Sequence, residues 1–263
     1  MTADAQPLTY HELMVNTDES PRLDLMAAVY DPATTRVLST IDVQKHWRCL
    51  DAGCGSASVA AWLAQRAPEG RTVACDLDVE KVAVRPSPAL ELMACDIAEA
   101  DFAPGSFDLI HARLLLQHLA DREQVLDRMV DWLAPGGWLV VADGFDLAAS
   151  STAHPRYATF FDRFWRFLSE NTAIEPLWGR GYPEPLLRRG LVDVSLDVVT
   201  EPVRGGEPYA RVLLQGMENL RPMLSAQEEI GEPMLDEVLA NLLDPGFHDL
   251  GFALAIAKGR KAQ

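Results

Sequence analysis

Asp51, Asp76, Asp96, His111 and Asp143 each close a short apolar run. Around the first lies Leu50-Asp51-Ala52-Gly53-Cys54-Gly55-Ser56-Ala57, a Gly-x-Gly turn between a strand-like run and a helix-like one. Glycine lets the backbone turn tightly and approach a ligand with no Cβ in the way. The dinucleotide fingerprint asks for a third glycine where this chain has Ser58, so a pyrophosphate site is disfavoured. The turn also carries no basic residue. Asp76 lies where a carboxylate after the second strand can accept the hydroxyls of a ribose. Asp96 can accept from an exocyclic amine while Ile97 lies against a purine face. Asp51, under the turn, can hold a backbone N–H or a ligand ammonium. The set describes a ligand with a purine, a ribose and a cationic tail, and no phosphate.

These residues need a scaffold that brings them to one edge. Strands are expected at residues 47–50, 71–75, 90–94, 107–110 and 138–142, with helices at 58–66 and 114–133 between them. Strands alternating with helices make right-handed βαβ units and a parallel sheet covered on both faces. Ligands of such sheets sit outside the carboxyl ends of the strands, at the switch in strand order, which is the edge that the four acids and His111 share. Further strands are expected at 192–199 and 252–257, for seven in all, with helices over 156–168 and over 212–243, the latter split around Pro222. The N-terminal stretch 8–41 reads as helix, broken near Ser20-Pro21 and Asp31-Pro32. The expected organisation is a helical cap over 1–44, a ligand-binding core over 45–147, and over 148–263 the rest of the sheet with helical insertions that cover the substrate.

Composition narrows the partners. The chain has 263 residues, 48% of them hydrophobic, enough for a full core. Twenty-three basic residues against 39 acidic ones give a net charge of −16. Such a surface repels nucleic-acid backbones and anionic bilayers, and no run of Lys or Arg offsets it. No apolar stretch is long enough to span a bilayer, and residues 1–20 lack the basic and apolar regions of a signal peptide, so a cytoplasmic protein is expected. Cys49, Cys54, Cys75 and Cys95 show no paired metal-ligand spacing and read as reduced thiols; no metal site is expected. Assembly with further copies is left open.

At these positions the sequence resembles the class I S-adenosylmethionine-dependent methyltransferases. The resemblance rests on Leu-Asp-Ala-Gly-Cys-Gly at 50–55, Asp76, Asp96-Ile97, Phe-Asp-Leu-Ile-His-Ala-Arg at 107–113, Leu-Gln-His-Leu at 116–119, and Leu-Ala-Pro-Gly-Gly-Trp-Leu-Val-Val at 133–141. It implies a Rossmann-like α/β fold and S-adenosylmethionine as cofactor. Gly53 and Gly55 then line the methionine part, Asp76 holds the ribose, and Asp96 with Ile97 frames the adenine; Asp51 and Leu77 are expected among the cofactor-binding residues. His111 and Arg113 follow the fourth strand beside the methionine end. Where the family has a third glycine this chain has Ala57.

Methyl transfer from a sulfonium is an in-line displacement, for which the protein mainly supplies alignment, a dry site and the removal of a proton. The chain lacks the Pro-Pro motif of amide and amino-group methylases after the fourth strand, and the Pro-Cys nucleophile of cytosine methylases. The expected acceptor is therefore a small molecule, of the kind met in natural-product biosynthesis. The segment 116–122 is similar to O-methyltransferases of sugars and natural products, which favours oxygen over nitrogen or carbon. On that resemblance His118 is expected to accept the hydroxyl proton, with Asp143 orienting or replacing it. Against these stand a structural hydrogen bond for His118 and a helix or turn cap for Asp143. His11, Tyr30 and His154 are further candidates, and the aromatic run 157–168 either lines the acceptor pocket or packs the core. The competing functions are a methyltransferase fold turned to another reaction, such as a cyclisation, and a nicotinamide-dependent oxidoreductase. Ser58 and the Pro135-Gly136-Gly137 turn speak against the latter.

Overall fold

A computed structural model describes Leu8 and residues 19–80, 82–147 and 151–263. The candidate His11 and the helical reading of 9–18 lie outside the described residues. Seven strands form one sheet: β1 (Arg48–Ala52), β2 (Arg71–Asp76), β3 (Leu90–Ala94), β4 (Phe107–Arg113), β5 (Leu133–Phe145), β6 (Val192–Arg204) and β7 (His248–Arg260). Their order is β3-β2-β1-β4-β5-β7-β6. The first five run parallel, and β7 runs antiparallel to both its neighbours. The order reverses between β1 and β4, so the carboxyl ends of those two strands frame the crevice. This is the Rossmann-like, mostly parallel sheet the alternating pattern implied.

Among the described residues the α-helices are α1 (Ser20–Leu38), α2 (Ser58–Arg66), α3 (Arg122–Trp132), α4 (Pro155–Asn171), α5 (Glu184–Arg188), α6 (Pro208–Asn219), α7 (Arg221–Leu224) and α8 (Gly231–Leu243). Side chains of α1, α4, α6 and α8 join Cys49, Leu109 and Val140 in one apolar cluster on one face of the sheet. α3 and α5 pack on the other face against Leu50, Ile110 and Val141. The aromatic run belongs to the first cluster. Tyr157, Phe160, Phe161, Phe164 and Phe167 are all buried, in edge-to-face and stacked pairs that reach Phe247 and Phe252. Such pairs add about 0.5–1.5 kcal/mol each beyond their burial, so this face of α4 packs the core. Met217, Leu220 and Leu224 are buried in the same layer.

Several boundaries differ from the sequence reading. α1 runs through Asp31-Pro32 without a break. Proline removes one hydrogen bond, and the turn is braced by Thr35, whose hydroxyl donates to the Asp31 carbonyl at 2.7 Å. The helix expected over 114–133 is instead a 3₁₀ turn at Leu116–His118, an extended Leu119, and α3 from Arg122. Leu114 departs from the helix at once, with φ +52°. β5 begins at Leu133, ahead of Pro135-Gly136-Gly137, and the glycines sit in a register shift against β4. The stretch 212–243 yields three helices, α6 starting at Pro208, with a second break after Leu224.

Ala57 takes the left-handed conformation, φ 59° and ψ 22°, just ahead of α2. That conformation costs an L-residue about 1–2 kcal/mol, and the Ala57 methyl is fully buried, returning roughly 0.8 kcal/mol. An Ala57→Gly variant should therefore gain no more than about 1 kcal/mol. Thermal unfolding would read this as a midpoint raised by a few degrees or less, and a clear fall would mean the methyl matters more than the strain.

Candidate cofactor and acceptor site

The glycine turn joins β1 to α2 at the crevice. Gly53 and Gly55 both have positive φ, +63° and +52°. A Cβ on Gly53 would come within 2.9 Å of the Leu115 side chain, and one on Gly55 within 3.3 Å of Leu23. The turn is thus roofed by two apolar side chains, one from the segment after β4 and one from α1. Leu23 gave no signal in the sequence, because its role depends on α1 folding back over the sheet. Glu19, at the start of α1, ties it to α6 by accepting from Asn219 at 2.5 Å, and Arg22 of the same helix donates to Glu19 at 2.7 Å.

Asp76 ends β2. Its Oδ2 accepts from the Gly55 N–H and its Oδ1 from the Leu77 N–H, both at 2.8 Å. Burial raises its carboxyl above the ordinary range, while these backbone donors pull it back down. One carboxylate therefore ties the glycine turn to the end of β2, with the Asp78 backbone adding to its donors. The Leu77 side chain is exposed. Asp96 caps its own turn by accepting from the Ala98 N–H at 2.8 Å, and Ile97 is buried beside it.

Asp51 and His111 are opposite one another in the β1–β4 ladder. Both are buried, with Asp51 Oδ1 2.7 Å from His111 Nδ1. Asp51 Oδ2 and His111 Nε2 reach no partner among the described residues. Arg113, two residues on, donates to Asp31 at 2.8 Å and to Thr34 at 3.0 Å, so it ties the rim of the sheet to α1.

Asp143 lies on the opposite face. Alternation along β5 puts Leu139 and Val141 in the cluster with α3 and α5, and Asp143 shares their parity. It accepts from Tyr182 Oη at 2.6 Å and from the Gln117 N–H at 3.3 Å. Tyr182 in turn accepts from Trp178 Nε1 at 3.0 Å. Burial pushes the Asp143 carboxyl up to about 7 against these hydrogen bonds. His118 sits next to Gln117, whose Oε1 accepts from the Gly144 N–H at 2.9 Å. That bond fixes the amide, so Gln117 Nε2 donates to His118 Nε2 at 3.1 Å and leaves the imidazole proton on Nδ1. Burial first, then Arg22 and Arg122, depress His118 to about 3, so the ring is neutral at ordinary pH.

The other candidates are elsewhere. Tyr30 donates to Tyr209 Oη at 2.9 Å inside the helical layer. His154 precedes α4 with its ring against Phe247. The four cysteines are unpaired, three of them buried, and burial pushes Cys49 up to about 12. Among the described residues no cluster of His, Cys, Asp and Glu could hold a metal, and no helix is long and apolar enough to cross a membrane.

The residues present suit a nucleoside with a cationic amino-acid tail. An orphaned carboxylate oxygen lies under the turn, and the turn itself is a cradle that a Cβ would fill. Comparison with known proteins agrees. The pattern of a methyltransferase domain matches residues 50–141. Methyltransferase str2 of Strobilurus tenacellus is 32% identical over 145 residues, covering 54% of this chain and 52% of its own. Methyltransferase GfsG of Streptomyces halstedii is 29% identical, covering 78% and 73%. The chain spans about half the length of the two Strobilurus relatives it matches. Phosphoethanolamine N-methyltransferase 2 of Haemonchus contortus, solved with S-adenosyl-L-methionine, shares the fold with a TM-score of 0.61 at 15% identity, covering 97% of this chain and 60% of that one.

Proposed function

We propose that this chain, which carries the methyltransferase domain of the class I S-adenosylmethionine-dependent family, transfers a methyl group to a small-molecule acceptor, with oxygen as the favoured nucleophile. The observation that carries the reading is the Asp76–Gly55 contact, which joins a ribose-type carboxylate to a positive-φ glycine turn at the switch point of the sheet. S-adenosylmethionine supplies an already activated methyl on a sulfonium. The remaining work is alignment and exclusion of water, and Leu23 and Leu115 supply an apolar roof for it. Asp76 and Leu77 hold the ribose, Asp96 and Ile97 frame the adenine, and Asp51, Gly53 and Gly55 take the amino-acid end. Arg113 acts by keeping α1 seated.

His118 is the proposed proton acceptor, with Asp143 behind it through Gln117. An acceptor hydroxyl takes the place of the Gln117 amide at His118 Nε2. A ring that resists protonation does not ionise the hydroxyl in advance. The proton moves only as the O–C bond forms, when the oxygen becomes far more acidic than an imidazolium. The acidic surface favours a small molecule over nucleic acid as the acceptor.

The test is calorimetric titration with S-adenosylhomocysteine and with NAD, followed by mass analysis of candidate acceptors for the gain of one methylene. Binding of the first ligand alone and a methylated product are expected; binding of NAD alone would sink the reading. In a His118→Ala variant turnover should fall about 100-fold or more, while affinity for S-adenosylhomocysteine stays within about twofold. Unchanged turnover would remove His118 as the acceptor of the proton.

A further inference from the structure

Asp96, Ile97 and Ala98 make the turn that leaves the edge strand β3. Its backbone donors are met from within. Asp96 Oδ1 accepts from the Ala98 N–H at 2.8 Å, and the Asp96 carbonyl accepts from the Glu99 N–H at 3.0 Å. Its carbonyls are met from outside. Arg128 of α3 donates through Nη2 to the Ala98 carbonyl at 2.6 Å and, more weakly, to the Ile97 carbonyl at 3.4 Å. Hydrogen bonds from a guanidinium are roughly twice as strong as neutral ones. Arg128 also lies 3.8 Å from Asp121. Its Nε is buried with no partner among the described residues, a cost that this pose carries for the sake of what Nη2 holds.

We propose that Arg128 is a positioning residue for the adenine end of the site: from α3 it holds the Ile97 and Ala98 carbonyls, and so fixes Asp96 in the pose that accepts from an exocyclic amine. The inference rests on the cofactor reading above and adds to it the group that aims Asp96. α3 grips the same stretch of chain in two further places. Ile97 is buried in one cluster with Val125, Leu126 and Met129, and Phe102 meets the Trp132 ring edge-to-face with centroids 5.1 Å apart. Apolar contacts of this kind are non-directional, so they hold the stretch against α3 without fixing the rotation of its backbone. Donors on two successive carbonyls fix that rotation. Asp96 is exposed, so its aim is set by the turn that carries it.

Titration calorimetry compares S-adenosylhomocysteine with the analogue that carries hydrogen in place of its 6-amino group. The wild-type protein should prefer the first by about tenfold or more, as one hydrogen bond to a charged acceptor is lost in the second. In Arg128→Met that preference should fall to about threefold or less, with the loss confined to S-adenosylhomocysteine and affinity for the analogue kept within about threefold. A merely structural arginine would weaken both ligands alike and leave the preference intact; that result, or no change in either affinity, would overturn the proposal. Arg128→Lys keeps the charge but not the planar fork, and its preference should lie between the two. Should Arg128→Met fail to fold, Arg128→Lys decides: a preference equal to that of the wild type would overturn the proposal. Equal binding of the two ligands by the wild-type protein would remove Asp96 as the reader of the amine, and the role of Arg128 with it. Failure of the wild-type protein to bind S-adenosylhomocysteine at all would overturn the cofactor reading itself, and this proposal with it.

Discussion

An Asp143→Ala variant is expected to lose about 3–5 kcal/mol of stability, because it strands several buried donors at once. Tyr182 Oη and the Gln117 N–H point at the Asp143 carboxylate, and the Leu115 N–H adds to them. The pair Tyr182–Trp178 hangs on the same group. For a chain of this size the loss corresponds to a fall of roughly 10 °C in the thermal midpoint. A fall of under about 2 °C would show that the hub carries no weight. The effect should also depend on pH in a defined direction. Burial raises the folded carboxyl to about 7, whereas the unfolded one titrates near 3.9. The folded state therefore holds the proton more tightly. That contribution to stability is complete below about pH 4 and is lost as the pH rises through about 7. The gap between the wild-type and Asp143→Ala midpoints should then be wider at pH 5 than at pH 8. His118 has the opposite sign. Its folded value is depressed to about 3, so its contribution is present above about 6.5 and fades as the pH falls. Both proteins keep His118, so it cancels in the comparison.

Asp76→Ala should raise the dissociation constant for S-adenosylhomocysteine by about 100-fold or more. Hydrogen bonds to a charged acceptor contribute about 1.5–3 kcal/mol each, and a ribose offers two hydroxyls, so a loss of about 3 kcal/mol or more is expected, near two decades in affinity. The same carboxylate accepts from Gly55 and Leu77, so its removal also frees the glycine turn to wander. Asp76→Asn should lie between the two, since it keeps one acceptor oxygen. Calorimetric titration measures all three proteins, and an increase below threefold for Asp76→Ala would mean that the ribose is held elsewhere.

The polar residues at the strand ends were legible because their placement depends on local rules. Each strand of the parallel part ends within a few residues of a polar side chain, and the period-2 and period-3.6 patterns locate those strands without reference to the rest of the chain. The segment after β4 was misread for the same reason. Leu115, Leu119, Leu126 and Met129 keep helical spacing, but Leu114 at φ +52° starts a 3₁₀ turn that brings Leu115 over Gly53 and Gln117 against His118. The helix through Pro32 is a second instance, where bracing by Thr35 and packing on α6 and the sheet outweigh the missing hydrogen bond.

By itself the sequence determined the strand–helix alternation, the glycine turn, the acids on the carboxyl edge and the excess of negative charge, since each follows from neighbouring residues or from counting. Only the tertiary structure decided which partners those acids meet. Alternation along a strand sends Asp51 and His111 to one layer and Asp143 to the other, and which layer each meets depends on the register of seven strands and the side from which each helix packs. Arg113 finds Asp31, Asp143 finds Tyr182, and Leu23 roofs Gly55 across separations of 30 residues or more, as folding of the whole chain requires.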